Sequence, residues 1–200
     1  MSESDRTHGA LSFWSWFASA APRLAAMLQA RSFTQDDAER LLGEMQEQLS
    51  AFNGHLGFRL GGSGPFELII TAEGDAHYFH EADALVGAAP AVNGWKMTAL
   101  VPGRSLEGFS YQMDEVSINE HDIFFCVLTD RVTFYVADPK YRGTDDFRTS
   151  ILRIAEAGVG ERAFAAIRIY AEVLPLSAAG TGATDSLRPI AQITSLVRHQ

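Results

Sequence analysis

Apolar residues in the first quarter of the chain recur at helical spacing. Phe13, Phe17, Ala20, Leu24 and Leu28 lie three to four residues apart and share one helix face, with Ser12 a suitable N-cap. Pro22 falls inside this stretch and predicts a kink or a restart. A second stripe, Ala38, Leu41, Leu42, Met45, Leu49 and Phe52, follows Thr34 and Asp37. Those two are spaced as a capping box, with Asp where Glu or Gln is usual, and Asn53-Gly54 stops the helix. The two segments predict an N-terminal helical hairpin.

The period then falls to two. Leu56, Phe58 and Leu60 alternate with small or polar residues, and residues 66–72 (FELIITA) read as a strand. Gly61-Gly62-Ser63-Gly64-Pro65 between them has the length of a hairpin loop. Phe79, Ala82, Leu85, Val86 and Ala89 predict a short helix ended near Pro90. Trp95, Met97, Ala99 and Val101 mark a further strand, and Val116 with Ile118 a short one. Residues 123–129 (IFFCVLT) and 132–137 (VTFYVA) flank Asp130-Arg131 and predict a tight hairpin. The first of them is apolar on both faces, which places the hairpin centrally in a sheet. Thr144 caps a helix through Phe147, Ile151, Ile154 and Ala155 to Gly158, and a short helix covers 161–166. Residues 167–174 alternate as a strand, and Ile190, Ile193 and Val197 suit a last amphipathic helix.

Most of the connections between strands are too short for a parallel crossover. The expectation is an α+β fold, a mainly antiparallel sheet of about six strands packed against helices. It forms a single domain over residues 10–200, with 1–9 as a flexible N-terminus and 177–184 as a flexible link to the last helix.

Composition narrows the function classes. The 200 residues are 46% hydrophobic and 20% charged, a globular profile that excludes intrinsic disorder. The formal net charge of −9 is the opposite of a nucleic-acid footprint and is repelled by anionic membranes. Residues 11–21 (LSFWSWFASAA) imitate the core of a signal peptide. Glu3 and Asp5 precede them against a single Arg6, however, and serines interrupt the run. No apolar run reaches the roughly 18 residues of a membrane span, so a cytoplasmic protein is expected. Cys126 is the one cysteine and lies among large apolar neighbours, so it reads as an inert core thiol.

Several groups of residues together resemble a family of uncharacterised bacterial proteins of about this length. They are Phe13-Trp14-Ser15-Trp16-Phe17, Leu56-Gly57-Phe58, Glu67-Leu68-Ile69-Ile70-Thr71-Ala72-Glu73-Gly74, and Ala88-Ala89-Pro90 with Gly94-Trp95. The resemblance covers residues 10–175 and rests on aromatics, a turn glycine and a helix-ending proline. It implies a single-domain α+β fold and lends no activity and no site residues.

Asp75, His77, His80, Glu81 and Asp83 form the densest set of metal-capable side chains. His77 and His80 share a helix face, and with Glu81 they are the metal candidates. Their spacing matches no zincin motif, and a polar first helical turn explains them better. No metal or other cofactor is expected. Gly103-Arg104-Ser105-Leu106-Glu107-Gly108 is one residue too long for a nucleophile elbow, and Gly62-Ser63-Gly64 lies in a hairpin loop. His121-Asp122 reads as a turn. Gly180-Thr181-Gly182-Ala183-Thr184 lacks the third glycine of a phosphate loop, and Asp185 beyond it repels phosphate. Phe13, Trp14, Trp16 and Phe17 fill four of five positions and point to several sides of a helix. At least three are expected to be buried, in the core or in a two-fold dimer, and the four are the candidate partner-binding residues. The reading is a non-catalytic bacterial binding protein that self-associates through this helix. The alternative is a hydrolase-like metal-assisted or acid–base enzyme using His77, His80 and nearby carboxylates.

Overall fold

A computed structural model describes residues 3–29, 34–113, 115–128, 131–168, 170–180 and 186–199. The chain divides into two units, Met1–Val101 and Pro102–Gln200, and the fold is α+β.

In the first unit, helices α1 (Glu3–Gln29) and α2 (Gln35–Phe52) form the expected hairpin. Residues 3–9, read as a flexible tail, are the first turns of α1. The helix also runs unbroken through Pro22. Pro22 and Ala18 both lie on the exposed face, where water can reach the carbonyl that proline leaves without its helical bond. Thr34 caps α2 as read, its hydroxyl accepting from the Asp37 N–H at 3.2 Å. Leu41, Met45, Leu49 and Phe52 are the buried stripe, and the Asn53 N–H closes the helix on the Leu49 carbonyl.

Strands β1 (Gly57–Gly61) and β2 (Phe66–Thr71) form the expected antiparallel hairpin. A one-turn 3-10 helix (Ala76–Tyr78) then leads into α3 (Phe79–Gly87), which returns the chain to β3 (Trp95–Ala99) parallel to β2. This crossover corrects one expectation. The segment 72–94 is long enough to hold a helix, and that is what a parallel connection needs.

The second unit begins with the hairpin β4 (Ser110–Met113) and β5 (Val116–Asn119), a two-stranded sheet by itself. Strands β6 (Ile123–Val127) and β7 (Val132–Val136) are the two central strands of a four-stranded sheet, as anticipated. Residue 129, read as the end of the first strand, and residue 130 of the predicted turn lie outside the described residues. Helix α4 (Asp145–Val159) is capped by Thr144 and ends at Gly160, whose φ of 86° favours glycine. Helix α5 (Glu161–Arg168) extends further than expected and delays the next strand, β8 (Ala171–Pro175). Ala163, Phe164 and Ile167 all pack against the core, a helical spacing that overrides the alternation read from residue 167. Strand β8 runs parallel to β7, and the short β9 (Arg188–Pro189) lies antiparallel to β6.

The single sheet of about six strands is therefore replaced by three sheets of three, two and four strands. Four strand pairings are antiparallel and two are parallel. Ser177 and Ala178, expected in a flexible link, belong to a 3-10 turn (Leu176–Ala178), while residues 181–185 lie outside the described residues. The terminal helix is a 3-10 helix (Ile190–His199). Its buried residues Ile190 and Ile193 are one 3-10 turn apart and so share a face.

Candidate functional site

The four helix-α1 aromatics are positioned by a core in the first unit. Phe13, Trp14 and Phe17 are buried, and Trp16 is half-buried. Trp14 meets Phe13 and Phe17 edge-on at 4.9 and 5.7 Å, and Phe17 meets Trp95 edge-on at 5.2 Å. The Trp14 indole N–H donates to the Leu85 carbonyl at the end of α3 at 2.7 Å. Packing inside one chain already takes the surface of Phe13, Trp14 and Phe17, while Trp16 keeps part of its face exposed.

His77, His80 and Glu81 are not brought together as ligands. The His77 ring lies edge-on to Tyr78 at 5.0 Å, and Tyr78 stacks on His55 at 4.1 Å. Glu81 is buried, and its carboxylate accepts from the Asn53 side-chain amide. Arg6 approaches it at 3.8 Å and His80 at 3.5 Å. Asn53 in turn accepts from the His55 N–H at 2.8 Å. Glu81 thus fastens the starts of α1 and α3 to the end of α2, a structural duty that a buried carboxylate requires of its neighbours. Among the described residues, no three His, Cys, Asp or Glu side chains are grouped to hold a metal ion.

The other motifs find local explanations. Ser105 accepts from the Glu107 N–H at 3.2 Å, a local turn of the loop. Asn119, His121 and Asp122 form the turn before β6: Asn119 Oδ1 accepts from the His121 N–H, and Asp122 Oδ2 from the Asn119 N–H. Cys126 is buried. Asp138, just beyond β7, accepts from the Ser177 hydroxyl at 2.6 Å and the Ser177 N–H at 3.2 Å. Those two bonds, the hydroxyl first, hold its carboxyl below the usual aspartate value.

Two surface concavities lie in the second unit. One, of about 760 Å³, lies between β4 and the start of α4. Glu115, Asp146 and Arg142 mix both charge signs along it, and Arg142 Nη1 already donates to the Pro139 and Tyr141 carbonyls. The other, of about 450 Å³, is shallow and mostly apolar, lined by Val127, Leu128, Arg131, Ala166, Ile167 and Tyr170. Val127 is 51% exposed, Leu128 43% and Tyr170 58%, three of the five most exposed large apolar side chains among the described residues. Sequence reasoning missed this groove. Leu128 and Tyr170 were read as ordinary strand positions, and no local pattern tells a strand-end apolar residue that is covered from one that is not.

No protein-family model, curated protein or solved structure matches the chain. No helix among the described residues is long and apolar enough to cross a membrane.

Proposed function

We propose that the chain is a non-catalytic binding protein of the cytoplasm, and that its contact surface is the apolar groove at Val127, Leu128 and Tyr170. The observation that carries this reading is the gathering of three half-exposed large apolar side chains around one concavity. Scattered apolar residues need no explanation, whereas a contiguous group on a chain with this much buried core marks a contact site. The acidic net charge favours a protein partner over nucleic acid. The groove is preferred to the α1 aromatics as the surface for association, since Phe13, Trp14 and Phe17 are buried within one chain. The resemblance to an uncharacterised bacterial family adds no activity to this reading.

In-cell photo-crosslinking tests it, with a benzophenone amino acid placed at position 128 and, as a control, at the exposed position 11. A discrete protein adduct at 128, absent at 11 and lost on Tyr170→Ser, is expected. The same adducts at both positions, or none at 128, would sink the proposal.

A further inference from the structure

We propose that the cleft between β4 and the start of α4 binds a small zwitterion with an apolar side chain, a free amino acid or a dipeptide. The site shares no lining residue with the apolar groove and stands apart from the role proposed for it.

The β4–β5 hairpin explains the apolar floor. Tyr111 pairs opposite Ile118 and Met113 opposite Val116, so all four side chains project from the same face. Ile118 is fully buried and Val116 nearly so, whereas Tyr111 is 47% exposed. An aromatic ring on a core-facing side that stays half in water has an opening in front of it, and the concavity of about 760 Å³ is that opening. Its volume lies within the roughly 300–1,000 Å³ of small-molecule sites. The walls are fastened before any ligand arrives. Lys140 Nζ donates to the Ser117 carbonyl at 2.9 Å, Tyr141 meets Phe147 edge-on at 5.6 Å, and the Thr144 hydroxyl accepts from the Phe147 N–H at 3.2 Å. A cleft held in this way takes a ligand without first having to order itself.

Charge selects the ligand. Among the described residues, the Glu115 and Asp146 carboxylates take no hydrogen bond or ion pair, and the nearby Arg148 goes to Asp145 at 3.8 Å. Arg142 pairs with no carboxylate among them. Its Nη1 donates to the Pro139 and Tyr141 carbonyls, which leaves Nε and Nη2 for a ligand. A purely cationic ligand would meet Arg142, and a purely anionic one would meet two carboxylates. An ammonium toward Glu115 and Asp146, with a carboxylate toward Arg142, satisfies all three, and the apolar side chain lies against Tyr111 and Met113.

The test follows backbone amide resonances of the full chain by two-dimensional NMR, with L-phenylalanine and L-phenylalanylglycine as probes. Phenylalaninamide lacks the carboxylate and N-acetylphenylalanine the ammonium, so each removes one pole and keeps the ring. At least one zwitterion is expected to shift amides within 111–116 and 142–150 in a saturable way, and the one-pole analogues to bind about threefold or more weaker. Glu115→Gln/Asp146→Asn should weaken the zwitterion by a similar factor, and Glu107→Gln, at another exposed position of this unit, should leave it unchanged. The same spectra show whether each variant is folded, and Glu115→Gln alone serves if the double variant is not. No saturable shift by either probe up to about 10 mM, shifts confined to residues outside the cleft, or an analogue bound as tightly as phenylalanine would overturn the proposal. So would an affinity indifferent to the folded carboxylate variant.

Discussion

Two stretches of the chain follow one plan. The hairpins β1–β2 and β6–β7 are antiparallel, and each second strand gains a parallel partner, β3 or β8, through a helical crossover. Both parallel registers are five residues long, starting with Phe66 opposite Trp95 and Val132 opposite Ala171. The strand exits match as well. The Ala72 carbonyl accepts from the Asp75 N–H and the Ala137 carbonyl from the Lys140 N–H, and an acid, Glu73 or Asp138, follows each alanine. The contrast lies in where the large apolar groups go. In the first unit, Phe13, Trp14 and Phe17 of α1 are sealed into the core. In the second, Val127, Leu128 and Tyr170 stay half in water around a groove. A shared plan therefore does not dictate a shared surface. Both units bury aromatics, Phe125, Phe134 and Phe147 in the second as Phe13, Trp14 and Phe17 in the first, but the second also leaves three large apolar side chains half-exposed around one concavity.

The contrast can be broken most directly at Trp14. Trp14→Ala should lower the stability of the first unit by about 3–5 kcal/mol, through the cavity it leaves and the lost bond to Leu85. All three tryptophans, Trp14, Trp16 and Trp95, lie in that unit, so Trp16 and Trp95 fluorescence during urea unfolding reports it. A loss below about 1 kcal/mol would show that the aromatic helix is not the core.

A smaller effect is expected at Gly103 in the second unit. An added Cβ would lie 2.7 Å from the Gly158 carbonyl oxygen and 2.8 Å from the Val159 carbonyl carbon, backbone atoms that cannot swing aside. Gly103→Ala should cost about 1–3 kcal/mol, measured by far-UV circular dichroism in denaturant. Tryptophan fluorescence that shifted by the same amount in the same samples would erase the distinction between the units. Thr34 and Thr144 cap α2 and α4 by the same geometry, so Thr34→Ala and Thr144→Ala should each cost about 1 kcal/mol. Thermal melts giving very unequal losses would show that one helix is held mainly by its packing.

The smallest effect concerns acid. The carboxyl of Asp138 is held below its ordinary value by Ser177, so its contribution to stability is present above the unfolded-state value. It is lost as pH falls through the lowered folded-state value. Ser177→Ala should lower the melting temperature slightly at neutral pH and leave it nearly unchanged in acid, where that contribution is already lost, so the acid-dependent part shrinks. A titration curve identical to wild type would detach Asp138 from the acid response.

Local signals were legible where one interaction decides the outcome. Thr34 and Thr144 announce helix starts because a hydroxyl must meet the third N–H, and both do. Residues 123–127 announce a central strand because apolar side chains on both faces need cover on both, and the buried set there includes Ile123, Phe125 and Cys126. The division into three sheets was not legible, because strand pairing depends on partners far away in sequence. Alternation at 167–174 misled for a related reason: a short amphipathic helix running into a strand blurs both periods. The groove was invisible because exposure at a strand end is a property of what fails to pack over it. Glu81 was legible as a polar side chain, but its bonds to Asn53 and Arg6 join residues far apart in the chain.

The buried thiol of Cys126 has a use of its own. Cysteine reacts as the thiolate, which needs water or a nearby cation, and a side chain sealed inside a central strand has no contact with an aqueous reagent. Modification must wait until the β6–β7 hairpin opens. Since the chain has no other cysteine, the pace at which a thiol reagent consumes it is a clock for that opening. An occupant that clamps the end of β6 at Val127 should make the clock run slow.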